Sequence, residues 1–289
     1  MKIMMVTGAG INESCGLSVY NPVLGRYTSP EIAPGVRIEQ VITPELLAKD
    51  PDVFWSYWRD YCEKLDAALP GPAHDAILDI ADLATEFVEV TQNHDEIAFN
   101  ARPGVHWRIM LHGRADDYYC ADCKSTFSKF YSEGMTLPPR FEGQGLYSCV
   151  KGHPDIRPDV AWVKEGISVY EYDRALAQAG ISDVLVICGA SISYSYILNF
   201  VEATLSAGGQ VLYIDPQASP FNSRFMKSDL DLESITKIQC IQGSPDKVLP
   251  ALAAFMRWKE QGSGQVPRLD LDTTALSAWI SGDEARREV

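Results

Sequence analysis

The chain lacks any apolar run approaching the roughly 20 residues of a membrane span, so no membrane role is expected. It is also short of basic charge: 25 Lys and Arg stand against 39 Asp and Glu, a formal net charge of −14. Sequence-independent binding to a phosphate backbone needs a basic face, which argues against a nucleic-acid partner and leaves a basic peptide open. Met1-Lys2 runs directly into a strand pattern, without the apolar core and cleavage site of a signal peptide. Seven scattered cysteines, an odd number, fit a reducing compartment better than a disulfide framework. The expected location is therefore the cytoplasm. No internal repeats are found.

What is present is enough apolar material, 46% of 289 residues, for one large domain with insertions or two modest ones. Strand-like runs alternate with helical patterns, which predicts an α/β fold built on a mostly parallel sheet covered on both faces. Lys2–Val6, Val184–Cys188, Val211–Ile214 and Ile238–Ile241 read as strands. Ala73–Leu83, Tyr196–Ala207 (closed by Gly208-Gly209) and Asp246–Lys259 read as helices. Thr43 and Pro44 mark a helix start, and Trp55, Trp58, Tyr61, Cys62 and Leu65 form a core-facing stripe at helical spacing. Ser18–Pro44 lacks periodicity and reads as a long loop, of the kind usually functional or mobile.

Two places concentrate polar chemistry. Phe87–Thr91 and Trp107–Leu111 read as buried strands, the first delivering Gln92, Asn93 and Asp95, the second His112 and Gly113. Ligands of open α/β sheets bind at the carboxyl ends of strands, so an amide pair, a carboxylate and an imidazole there form a candidate site; turn chemistry is the plainer alternative. The first strand also feeds Thr7-Gly8-Ala9-Gly10-Ile11, a glycine-rich turn before a helix start. That is a recipe for a dinucleotide phosphate site, although the spacing is not G-x-G-x-x-G and a ligand-free turn is the alternative.

These motifs, in order, resemble the sirtuin family. T-G-A-G-I at the start, T-Q-N-x-D, L-H-G, then Cys120-x-x-Cys123 follow the family pattern. So do Asp50–Tyr57, Pro72–Ile77, Arg157-Pro158-Asp159-Val160, Gly189-Ala190-Ser191, Ile214-Asp215-Pro216 and Gly243–Leu249. The resemblance covers roughly residues 1–255 and implies a Rossmann-like doubly wound parallel sheet with a smaller zinc-ribbon and helical module inserted. By it, residues 1–19, 70–113 and 156–262 form the NAD-binding large domain, the chain re-entering that domain from Ile156. Residues 20–69 form a cofactor loop and helical module, 114–155 a zinc knuckle, and 263–289 a tail.

The resemblance also implies chemistry. Sirtuins cleave the nicotinamide–ribose bond of NAD and pass the ribosyl carbon to an acyl-lysine oxygen. Gly8, Ala9 and Gly10 would cradle the pyrophosphate. Asn93 and Asp95 would hold the nicotinamide ribose and carboxamide, and Gln92 would orient the ribose. His112 would be general base on a ribose hydroxyl, a task its near-neutral reference pKa suits. Gly189 and Ser191 would approach ribose or phosphate, Asp215 and Ser244 the adenosine, and Tyr20 would cover the nicotinamide pocket. Zinc would be held by Cys120, Cys123, Cys149 and His153, because Gly152 stands where the fourth thiolate belongs; a metal-free vestige is the alternative.

Departures bear on activity. Val19 and Asn21 replace an acidic residue and an arginine of the cofactor loop, and His94 replaces the usual Ile of T-Q-N-I-D. Val163-Lys164-Glu165 replaces the F-G-E strand that pairs with the peptide, and losing that Gly hinders close backbone approach. The leading expectation is an NAD-dependent protein-lysine deacylase acting on an acyl-lysine protein or peptide. The alternatives are an NAD glycohydrolase or ADP-ribosyltransferase, and a non-catalytic NAD or ADP-ribose sensor.

Overall fold

The computed structural model describes residues 1–17, 20–21, 26–27, 41–97, 107–120, 122, 125–128, 156–162, 165–190, 192, 194–219, 222, 225–228 and 230–261. Strand β1 (Lys2–Thr7) is followed by a 3-10 segment (Ala9–Cys15), then by the two-residue strands β2 (Tyr20–Asn21) and β3 (Arg26–Tyr27). Helices α1 (Pro44–Lys49), α2 (Pro51–Ala67) and α3 (Pro72–Leu83) lead to β4 (Glu86–Thr91) and β5 (Trp107–Met110). Strands β6 (Gly113–Cys120), β7 (Ser125–Ser128) and β8 (Ile156–Val160) come next. Then follow α4 (Val169–Ala179), β9 (Val184–Cys188), α5 (Ser195–Ser206), β10 (Gln210–Asp215), α6 (Leu232–Thr236), β11 (Ile238–Gln242) and α7 (Pro245–Gln261).

The six-stranded sheet has the order β11-β10-β9-β1-β4-β5, every pair parallel. Counted along the chain this is the doubly wound dinucleotide-binding order, whose direction reverses between β1 and β9. The run Ile3-Met4-Met5-Val6 is apolar throughout because both faces of the central strand are covered. Ile3 and Met5 enter a core shared with Ile77, Leu249 and Leu252 of α3 and α7. Met4 and Val6 enter the opposite core with Ala175 of α4 and Phe200 of α5. The period-2 alternation of a strand sorts them.

Beside this sheet stands a smaller antiparallel one, ordered β7-β6-β8. It shares a core with α2: Phe54, Trp55 and Trp58 pack with Ala115, Cys120, Ile156, Val160 and Trp162. The α2 stripe is thus core packing, as its spacing predicts. Asp50 caps α2 by accepting from Val53 N (3.3 Å), and Thr43 caps α1 by accepting from Leu46 N (3.2 Å).

Two expectations need correction, and a third gains detail. Ile156–Val160, expected as a strand of the large sheet, pairs instead with β6 of the small one. Its alternating burial suits either sheet and does not say which one it joins. The helix start after the glycine-rich turn, for which the sequence names no helix type, is 3-10. The Trp107 run is not a fully buried strand: β5 is the edge of the sheet, and Trp107 is 73% exposed.

Candidate functional site

The site lies at the carboxyl ends of β1, β4, β5 and β9, around the point where strand order reverses. Gly8–Gly10 leaves β1 and meets Gly189 at the end of β9, with Gly10 N donating to Gly189 O at 2.9 Å. The crossing leaves no room for side chains. A Cβ on Gly8 would stand 2.7 Å from Ala190 Cα, and one on Gly10 2.7 Å from Gly189 Cα. Gly189 has φ +59, a left-handed value that favours glycine. The glycines therefore serve this backbone crossing, and the amides of Gly10 and Ile11 are already bonded within it.

The ladders continue past the strand ends and fix the next residues. Gln92 N donates to Thr7 O and Leu111 N to Thr91 O, both at 2.9 Å. His112 O accepts from Ala161 N (2.8 Å), and His94 O from Ala115 N (3.0 Å). Gly113 then turns the chain into the small sheet at φ +77, where a Cβ would collide with Asp159 O.

A buried polar chain lies beneath. Gly71 N donates to His74 Nδ1 (3.2 Å), so the imidazole donates from Nε2 to Asn12 Oδ1 (3.0 Å). Asn12 Nδ2 donates to Asp95 Oδ2 (2.6 Å), and Ile97 N to Asp95 Oδ1 (3.1 Å). Burial lowers the His74 pKa, which keeps this ring neutral. Asn93 Nδ2 donates to Gly8 O (3.1 Å). Arg108 donates to Glu89 (2.7 Å) and to Asp95 O (3.0 Å), and Glu89, wholly buried, also accepts from the Thr7 hydroxyl (2.8 Å).

On the other side, Gln92 Nε2 donates to the Tyr196 hydroxyl (2.7 Å), which lies 2.8 Å from His112 Nε2. Burial pushes the His112 pKa down to about 4, with the Gln92 backbone opposing. Burial, with His112 adding, pushes His94 down to about 3. His94 Nδ1 lies 3.4 Å from the Tyr61 hydroxyl. A cavity of about 990 Å³ takes in His112 with Leu111, Val160, Ala161 and Ile167.

The fold thus gathers Gly8, Ala9, Gly10, Gln92, Asn93, Asp95, His112 and Gly189. Asp215 and Ser244 form a second group at the ends of β10 and β11, where Gly243 N donates to Asp215 O (3.3 Å) and burial raises the Asp215 pKa. Ser191, Cys123, Cys149 and His153 lie outside the described residues, as does the Tyr20 side chain. Among the described residues no three His, Cys, Asp or Glu side chains group as a metal site; Cys120 is buried at the end of β6. Sequence reasoning assigned nothing to Asn12, His74, Arg108 or Tyr196. His74 sits in a quoted motif; Tyr196 carries no local signal, since a tyrosine in an amphipathic helix reads as packing.

The Sir2 family pattern matches residues 8–195. An NAD-dependent protein deacetylase of Sulfurisphaera tokodaii is 30% identical over 226 residues, 75% of this chain and 80% of the relative. An NAD-dependent protein deacylase of Pyrococcus abyssi is 29% identical over 216 residues, 74% of this chain and 81% of the relative. The crystal structure of a Sir2 homolog–NAD complex aligns at TM-score 0.67 and 24% identity, covering 89% of this chain and 90% of its own. With the matched pattern spanning well over half of the chain, the protein belongs to the Sir2 family.

Proposed function

We propose that the protein is an NAD-dependent protein-lysine deacylase. The observation that carries this reading is the convergence of Gln92, Asn93, Asp95 and His112 on the switch point of a dinucleotide-type sheet. The donor set fits NAD: Gly8–Gly10 and Gly189 wall the crevice, Asn93 and Asp95 offer amide and carboxylate, and Asp215 and Ser244 stand where an adenosine would reach. NAD, when bound, supplies a glycosidic bond whose ribosyl carbon gains positive charge as it breaks. The Asp95 carboxylate, oriented by Asn12 and the Ile97 amide, places negative charge at that side of the crevice. His112 is neutral near pH 7 and accepts a proton. The acyl-lysine is received in the cavity that takes in His112.

We further propose a structural zinc on Cys120, Cys123, Cys149 and His153. Its support is the sequence spacing and one position: Cys120 ends β6 and pairs with Ser125 of β7, and two thiolates at C-x-x-C spacing suit tetrahedral zinc. The scattered cysteines favour a cytoplasmic enzyme.

The test is mass spectrometry of an acetyl-lysine peptide incubated with the protein. Loss of the acetyl group only when NAD is added is the expected result. An intact peptide with NAD consumed assigns the cleft to hydrolysis or ADP-ribosyl transfer, and no change in either assigns it to sensing.

A further inference from the structure

Tyr196 stands in the first turn of α5, and its hydroxyl is engaged twice. It accepts from Gln92 Nε2 at 2.7 Å and lies 2.8 Å from His112 Nε2. The Gln92 backbone favours protonation of His112, as a carbonyl near a ring N–H does. A neutral imidazole has one N–H and one lone pair. The imidazole N–H is assigned to Nδ1, on the side away from Tyr196, so Nε2 presents the lone pair, and only a donor satisfies it. The Tyr196 O–H is that donor. Gln92, Tyr196 and His112 therefore close a ring in which the phenol oxygen accepts from one partner while donating to the other.

The base nitrogen is thus covered by the phenol. Uncovering it means breaking both hydrogen bonds and pulling the Tyr196 ring from its neighbours. That ring stacks on Tyr194 at 5.4 Å and 14°, and touches Phe200 at 6.0 Å. Moving a proton across the phenol breaks none of these contacts. An incoming hydroxyl has only to donate to Oη, as the Gln92 amide already does.

We propose that Tyr196 is a proton relay of this site, carrying a proton from a hydroxyl held in the cleft to His112 Nε2. As one proton arrives at Oη, the phenol proton leaves for Nε2. The phenol ends neutral, the imidazole carries the positive charge, and the donor oxygen keeps its electron pair as a nucleophile. This rests on His112 being the base of the proposed reaction.

The test compares Tyr196→Phe, His112→Ala and fluorotyrosine at position 196, each in the full chain. Without ligand, nitrogen NMR of the wild-type imidazole should show a hydrogen-bonded lone pair at His112 Nε2, and Tyr196→Phe should move that resonance. Calorimetric NAD affinity should stay close to wild type in Tyr196→Phe while turnover falls about 100-fold, the usual scale of a lost proton-transfer group. Fluorination keeps the ring's shape and changes the acidity of the hydroxyl, so turnover should follow phenol acidity. This arm decides the matter if Tyr196→Phe does not fold. Wild-type turnover in Tyr196→Phe, or turnover indifferent to fluorination, with activity lost in His112→Ala, overturns the relay alone. Turnover kept in His112→Ala overturns the underlying reading as well.

Discussion

His94 and His112 lie with ring centroids 6.2 Å apart in a desolvated wall, and His112 makes His94 harder to protonate. Their folded pKa values, about 3 and about 4, lie well below the ordinary histidine value of about 6.5. The unfolded chain takes up protons near 6.5 while the folded chain does not, so stability is lost as pH falls through that window. Each unit of separation is worth about 1.4 kcal/mol. Urea midpoints should therefore drop on acidification from neutral pH, and His94→Ile should flatten that dependence; an unchanged slope would place His94 outside the wall. His112→Ala should lower nicotinamide release by about 100-fold or more while NAD still binds, read by calorimetry beside a rate assay. His112 was legible because it follows a strand and precedes a glycine. Tyr196 was not, because only the fold brings α5 against the end of β5.

The elements of the site depend on two close approaches. Where β1 and β9 end, three glycines allow backbones to touch, and Gly10→Ala would force its Cβ against Gly189 Cα at 2.7 Å. With backbone on both sides, destabilisation of about 1–3 kcal/mol is expected, visible as a lower melting temperature and weaker NAD binding. Under β4 and β5, Arg108 is the charge partner of a wholly buried Glu89. Arg108→Met should destabilise by about 3–5 kcal/mol, because it leaves that carboxylate uncompensated; denaturant titration checks it. The central strands were readable because continuous Val, Ile and Met runs are what a doubly covered sheet demands. The edge strand β5 was read as more buried than it is, since an apolar run does not report its place in the sheet. Helix α4 went unread although Tyr172, Ala175, Leu176 and Ala179 form a stripe at helical spacing, because two of the four are small alanines and the helix begins with the exposed Val169 and Tyr170.

Across the whole molecule, two cores clamp the parallel sheet, and a third joins α2 to the small sheet. No helix among the described residues is long and apolar enough to cross a membrane. Metal analysis of the purified protein should find about one zinc per chain, and a chelator should lower the melting temperature. A zinc-free sample of equal stability would make the β6–β7 knuckle a vestige. The order of motifs foretold the family, whereas the union of α2 with β6–β8 rests on aromatic contacts such as Phe54–Trp162, centroids 5.1 Å apart, between residues far apart in sequence. The measurement that bears most directly on the central claim is nicotinamide release from NAD, with and without an acyl-lysine peptide. Release that depends on the peptide is predicted; release at the same rate without peptide, or none in either case, would contradict it.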